Sequence, residues 1–287
     1  MSFHFLQSLF DPQSIAVIGA SARPQRIGNV VMRNLLAGGF GGAIMPVNPK
    51  RQAVAGVLTY PNVAALPQTP DLAILCTPAA SIPALLDELG LRGTRAAIIM
   101  AGYLATTFDA DGRALETVIL ETARRHGIRL LGGSTLGILV PKAGINATFS
   151  QVRVEPGMLA FVSQSDAVGT MVLDWARPKK VGFSHFVSLG DALDIGFGEV
   201  LDFLASDPDT QAILLYIESI RDRRSFMAAA RAAARNKPVV AIKAGRAPHR
   251  RQAGGAEPSF LGMASLISSD DVFDAVLRRA GILRVEH

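Results

Sequence analysis

Gly19, Ser21, Pro24 and Gly28 follow an apolar run in the segment "SIAVIGASARPQRIG". A strand that ends in glycine and passes through small residues into a helix presents backbone N–H groups, and the helix N-terminus adds a partial positive charge. That combination suits a phosphate, and Arg23 and Arg26 can reinforce it. The spacing is not G-x-G-x-x-G, and no Asp or Glu follows the second apolar run to grip a ribose diol. "PVNPKR" (46–51) stands there instead, so Lys50 and Arg51 favour a ligand with a further phosphate. NADP and coenzyme A both carry one. Two more loops, "CTPAAS" (76–81) and "MAGYL" (100–104), fall where open α/β sheets bind ligands and can line an extended pantetheine arm.

The elements that must position these residues alternate regularly. Strands are expected at 14–19, 43–47, 71–76, 96–100 and 128–132, with helices near 26–37, 79–90 and 111–126. Near-continuous apolar strands separated by helix-length segments predict parallel sheets covered on both faces, hence the α/β class. The rhythm pauses over 137–157, rich in Pro, Gly and polar residues, and then restarts. Strands follow at 158–163, 183–189, 212–217 and 238–245, with helices near 166–177, 197–206, 222–235 and 269–280. The division falls within about 145–156, giving domains 1–148 and 149–287. Residues 245–265 read as a long loop, a length usually associated with function.

Bulk properties agree with two compact domains: 287 residues, 49% hydrophobic and 18% charged. The net charge of +5 suits an anionic partner. Three Tyr, one Trp and the lack of a long basic run argue against a nucleic-acid surface. The single Cys76 excludes an internal disulfide and fits a reducing compartment. No uninterrupted apolar stretch is long enough to span a membrane, and "MSFHFLQSLFDPQS" lacks a signal-peptide pattern, so a cytoplasmic, soluble protein is expected.

Taken together, "SIAVIGAS", "PVNPK", "DLAILCTPA", "LLGGSTLGIL", "AFVSQSDAVG", "LGDALDI", "YIESIRD" and "NKPVVAIKAGR" resemble the CoA-binding and adjoining domain of the ADP-forming acyl-CoA synthetases, relatives of the succinyl-CoA synthetase α-subunit. "MRNLLAGGFGG", "LDWA" and "ARNKPVVAIKAGR" look most like the N-terminal region of bacterial protein lysine acetyltransferases, in which a synthetase-like portion is fused to a GNAT domain. The resemblance implies a Rossmann-like CoA-binding domain followed by a flavodoxin-like, succinyl-CoA-synthetase-like domain. By match, Gly19, Ser21, Pro24 and Gly28 would cradle the phosphates of coenzyme A or acetyl-CoA. Asn48 and Lys50 would serve its adenosine end, Thr77 and Pro78 its pantetheine arm, and the turn 132–135, with Gly132 and Ser134, its thiol. Implied partners are ATP-grasp and GNAT domains in cis or trans, in an oligomer.

Active relatives phosphorylate a histidine held by a carboxylate, whose match is Glu218. Their Ser-His-Thr-Gly or Gly-His-Ala-Gly loop has no histidine counterpart in "AGGAEPSFLGMAS", at 253–255 or at 262. His249 follows "GRAP" too closely, and His4, His126, His185 and His287 sit in unrelated contexts. The phosphate-receiving Ser-x-Ser-Gly or Ser-x-Ser-Ala turn is represented by Ser163, Ser165 and Asp166, with Asp166 bringing negative charge where the phosphate would enter. "GGST" replaces the relatives' Gly-Pro-Asn-Cys or Gly-Pro-Asn-Ser, which predicts a loosened or reshaped thiol end and weaker CoA binding. The expected function is therefore a CoA- or acyl-CoA-binding, non-catalytic regulatory module of such an acetyltransferase. The alternative is an α-subunit of an ADP-forming acetyl- or acyl-CoA synthetase working through a phosphohistidine with an ATP-grasp partner. An NADP oxidoreductase would need a catalytic Lys, Tyr or His, for which Tyr103 is the one weak match.

Overall fold

The computed structural model describes residues 3–244 and 269–285. Its first sheet contains β1 (Ser14–Ile18), β2 (Ala43–Val47), β5 (Leu72–Leu75), β6 (Ala96–Ile99) and β7 (Arg129–Gly132) in the order β2-β1-β5-β6-β7. Every pairing in it is parallel. All residues of β1, β5 and β6 are buried, which explains why these strands read as continuous apolar runs rather than alternating ones. Helices α2 (Ile27–Gly38), α3 (Ile82–Arg92) and α4 (Leu115–His126) make the crossovers. Chain order reverses between β1 and β5, so the loops leaving these two strands flank a crevice of the kind that binds ligands in open α/β sheets.

The second sheet runs β14-β13-β12-β10-β11-β8-β9. β10 (Pro156–Ser163), β11 (Phe183–Ser188), β12 (Ala212–Ile217), β13 (Val239–Lys243) and β14 (Leu283–Arg284) are parallel. Helices α5 (Asp166–Ala176), α6 (Phe197–Ser206), α7 (Arg223–Asn236) and α8 (Ser269–Ala280) connect them. β10 lies between β11 and β12, so a second reversal point lies at its carboxyl end. The mixed α/β architecture of a Rossmann-like unit followed by a flavodoxin-like unit agrees with the expected fold class.

Some elements escape the sequence pattern. β8 (Gly137–Val140) and β9 (Ile145–Thr148) form an antiparallel hairpin within the stretch where the β-α rhythm pauses. β8 pairs antiparallel with β11, so residues 137–148 lie in the second sheet although they precede the expected division at 148/149. The hairpin itself is local, two four-residue strands, "GILV" and "INAT", flanking a tight Pro141–Gly144 turn. Asn34 of α2 donates its side-chain amide to the carbonyls of Thr148 and Ser150, each at 2.7 Å, and holds the first unit against the end of that hairpin. Helix α1 (Phe3–Phe10) and the small hairpin β3 (Ala53–Val54)–β4 (Val57–Leu58) are likewise additions to the expected set.

Candidate functional site

The first cradle depends on two glycines. Gly19 leaves β1 with φ +85°, and a Cβ there would stand 2.7 Å from the Cys76 carbonyl oxygen. A Cβ on Gly28, in the first turn of α2, would stand 2.2 Å from the Gly19 carbonyl oxygen. Only hydrogen side chains let β1, the end of β5 and the start of α2 converge this closely. Side-chain amides then fix the loop: Asn29 donates to the Ser21 carbonyl at 2.8 Å and Asn48 to the Ala20 carbonyl at 2.7 Å. Asn48 Oδ1 also accepts the Lys50 N–H at 2.8 Å, and Ser21 Oγ accepts the Arg23 N–H at 3.1 Å. Asn48 thus ties the loop after β2 to the loop after β1, a structural duty beside any contact with adenosine.

Pro24, Lys50 and both arginines, Arg23 and Arg26, are exposed around this cradle, and Ser21 is half-buried. Across the crevice, the Thr77 hydroxyl is buried and has no hydrogen-bond partner. A buried hydroxyl without a partner is costly, and it marks the wall where a polar ligand group can be received. Pro78 is exposed beside it. Burial pushes the Cys76 thiol up to about 12, so this loop supplies no thiolate at neutral pH. These features fit a phosphorylated ligand with an extended arm: a cradle that a Cβ would fill, cationic side chains at its rim, and an unsatisfied hydroxyl farther along.

The turn after β7 lies at the meeting of the two units. Gly132, Gly133 and Ser134 all have positive φ, at +102°, +37° and +56°. The turn is pinned rather than loosened. Ser134 N–H donates to the Ala101 carbonyl at 2.9 Å, Asp191 N–H to the Gly133 carbonyl at 2.8 Å and Leu193 N–H to the Gly132 carbonyl at 2.9 Å. Thr135 is fully buried and donates to the Ser188 carbonyl at 2.5 Å. Gly132 and Gly133 take the left-handed backbone freely, Ser134 takes it at a cost, and Thr135 supplies an anchor for the turn.

The second reversal point carries the remaining residues. Ser163, fully buried, accepts the Ser165 N–H and donates to the Ser165 carbonyl. Ser165 caps α5 through the Val168 N–H. Asp166 opens that helix, but one of its oxygens accepts the Leu136 N–H at 2.7 Å and the Ser188 hydroxyl at 2.5 Å. Its carboxylate is thereby engaged with the first unit's turn. Burial raises its pKa most, with Asp191 and Glu218 adding to the rise against those two hydrogen bonds. Burial and Glu116 likewise raise Asp191, while Arg221 opposes them.

Glu218 is exposed at the end of β12, and its backbone N–H donates to Gln164 Oε1 at 2.7 Å. Arg221 reaches Glu116 of α4 at 3.1 Å, a bridge between the two units. The structure therefore gathers Glu218, Asp166, Ser163, Ser165, Gly132 and Ser134 at the facing edges of two sheets, with Gly19, Gly28, Asn48, Lys50 and Thr77 along the first. Ser188, Asp191 and Gln164 complete this edge and were not singled out. Their signal is positional, since each follows or ends an apolar strand. His249, 253–255 and residue 262 lie outside the described residues. No group of three or more His, Cys, Asp or Glu able to hold a metal occurs among the described residues, and no described helix is long and apolar enough to cross a membrane.

Comparison with known proteins bears on this arrangement. Residues 13–141 match a CoA binding domain, and residues 156–287 a succinyl-CoA ligase like flavodoxin domain. The chain is 38% identical over 284 residues to the ADP-forming acetate–CoA ligase I subunit alpha of Pyrococcus furiosus, covering 97% of this chain and 60% of that one. It is 31% identical to the ADP-forming 4-hydroxybutyrate–CoA ligase of Nitrosopumilus maritimus, covering 97% of this chain and 39% of the relative. The structure matches the dinucleotide-forming acetyl-coenzyme A synthetase 1 of Ca. Korarchaeum cryptofilum, solved with phosphate and ADP, at TM-score 0.86 and 31% identity, covering 98% of this chain and 60% of that one. The chain thus spans about 60% or less of these relatives. They are archaeal ligases and synthetases, and the expected closeness to bacterial GNAT-fused acetyltransferases is not what they display.

Proposed function

Because this chain belongs to the ADP-forming acyl-CoA synthetase superfamily, with a CoA-binding domain joined to a succinyl-CoA-ligase-like domain, we propose that it is the CoA-binding, α-type half of an ADP-forming acetate– or acyl–CoA ligase, completed by an ATP-grasp partner. The observation that carries this reading is the convergence of Gly19 and Gly28 beside the unpartnered Thr77 hydroxyl, at the reversal point of the first sheet. Gly19, Ser21, Pro24 and Gly28 would hold the phosphates of CoA, Lys50 and Asn48 its adenosine end, Thr77 and Pro78 its arm, and Gly132 and Ser134 its thiol end. CoA, when bound, supplies the thiol that the acyl group is joined to. The chain's own part is to orient that thiol at the edge shared with α5 and Glu218. We divide the two roles at the sheets, after Gly132 and before the β8–β9 hairpin, rather than at 148/149.

A second reading has its own support. The five histidines of the sequence include none at 253–255 or 262, and Glu218 has no described histidine to orient. On that reading the chain binds CoA or acyl-CoA without passing a phosphoryl group, as a regulatory half. Fusion to a GNAT domain ranks below both, since the relatives are ligases. Calorimetric titration of the purified chain with CoA, acetyl-CoA and NADP tests the common core. Both CoA forms should bind and NADP should not, and failure of CoA to bind overturns it. Incubation with radiolabelled ATP and the ATP-grasp subunit of an acetate–CoA ligase then separates the readings. Label on this chain supports the ligase half, and its absence beside a labelled control α-subunit supports the regulatory one.

A further inference from the structure

Asp166 stands where a bound phosphate would be expected, yet its carboxylate faces another way. Helix α5 begins at Asp166, and Ser165 already caps that helix. Asp166 Oδ1 is therefore available to the first unit, and it accepts both the Leu136 N–H at 2.7 Å and the Ser188 hydroxyl at 2.5 Å. Ser188 in turn lies 3.2 Å from the same Leu136 N–H, and its carbonyl accepts the Thr135 hydroxyl. Thr135 Oγ1 accepts the Gly137 N–H at 3.0 Å. These bonds close a continuous network from the start of α5, through the end of β11, to the residues directly after Gly132–Gly133–Ser134. Three successive positive φ angles are not a conformation the chain would keep unaided.

We propose that Asp166 is a positioning residue for the thiol end of the CoA site, holding the 132–136 turn in its left-handed form through Leu136 and Ser188. The proposal rests on the CoA-binding reading above. Asp166 does not touch the ligand; it acts through the turn. The groups facing it are Asp191, on the loop after β11, and Glu218, after β12, with Glu116 of α4 and Arg221 balancing one another beyond Asp191. The acceptor oxygen is the part that matters, so an amide of the same shape should replace the carboxylate.

The test compares CoA with 3′-phosphoadenosine 5′-diphosphate, a fragment that keeps the phosphates and adenosine but lacks the pantetheine arm. Titrations use the full chain, Asp166→Ala, Asp166→Asn and Ser188→Ala, with circular dichroism to verify folding. Asp166→Ala should weaken CoA about tenfold, the loss expected when the buried Ser188 hydroxyl loses its acceptor, and Ser188→Ala, which leaves the Leu136 N–H on Asp166, should weaken it less. Their combination should be worse than either alone, since the Leu136 N–H then loses both of its acceptors. Asp166→Asn should stay within about threefold of the parent, and the fragment should bind all variants alike. An equal loss for the fragment would reduce Asp166 to a general structural role and overturn the proposal, as would unchanged CoA binding by Asp166→Ala. If Asp166→Ala does not fold, Asp166→Asn and Ser188→Ala carry the comparison, and a tenfold loss in Asp166→Asn overturns it. Failure of the parent chain to bind CoA is a separate outcome and defeats the CoA-binding reading itself.

Discussion

At the residue scale, the site is made by side chains that are absent or unpaired. Gly28 packs against the Gly19 carbonyl so tightly that even a methyl group would displace backbone. Gly28→Ala should therefore destabilise the fold by about 1–3 kcal/mol, read from the urea midpoint, and substitution here tests packing together with binding. Thr77 separates the two. Its hydroxyl is buried without a partner, so Thr77→Val removes a desolvation cost at nearly constant shape. The variant should unfold at the same or a slightly higher urea concentration, yet bind CoA several-fold more weakly by calorimetry. A drop in stability with unchanged affinity would place that hydroxyl outside the ligand wall.

At the scale of elements, each loop is set by the strand or helix that it joins. Helix α5 is capped by Ser165, whose hydroxyl accepts the Val168 N–H at 3.3 Å and whose backbone bonds the Ser163 hydroxyl. Ser165→Ala should cost about 1 kcal/mol. Hydrogen exchange should show faster opening of the first turn of α5, with the strands of the first sheet unaffected. Asn34 illustrates the opposite case, a helix residue whose partners lie more than a hundred positions later in the chain. It makes the β8–β9 hairpin a shared element, hydrogen-bonded to the second sheet and packed on the first unit's α2.

At the scale of the whole molecule, stability depends on groups that no binding role requires. His185 lies on β11, buried between Phe10 of α1 and Phe203 of α6, at centroid distances of 5.3 and 5.5 Å. Its Nδ1 stands 3.4 Å from Asp207 Oδ2 but makes no hydrogen bond. Burial lowers its pKa, with Lys237 acting in the same direction and Asp207 and Asp209 opposing. The unfolded chain then takes up a proton near 6.5 that the folded chain refuses, so stability is full above that pH and falls as pH drops from 6.5 toward the folded value. The urea midpoint should decline between pH 7.5 and 5.5, and His185→Phe should flatten that decline. Asp166 and Asp191, raised from 3.8, contribute in the reverse sense and at lower pH: stability linked to them is lost as pH rises through 3.8 to their folded values.

The sequence by itself determined the α/β class, nearly every strand of both sheets and the glycine cradle, because buried parallel strands are written as unbroken apolar runs and a close turn can be written only with small residues. It also shows no histidine at 253–255 or at 262. Only the tertiary structure decided where residues 137–148 went, since the pairing of β8 with β11 joins residues some fifty positions apart. It decided the direction of Asp166 as well. A carboxylate at a helix start reads as a charge in a phosphate seat, but its hydrogen-bond partners, Leu136 and Ser188, come from another unit and another strand. Spacing along the chain fixes which elements form and what each can offer. Which side chains meet is set by how the two units pack on one another, and that is a property of the folded whole.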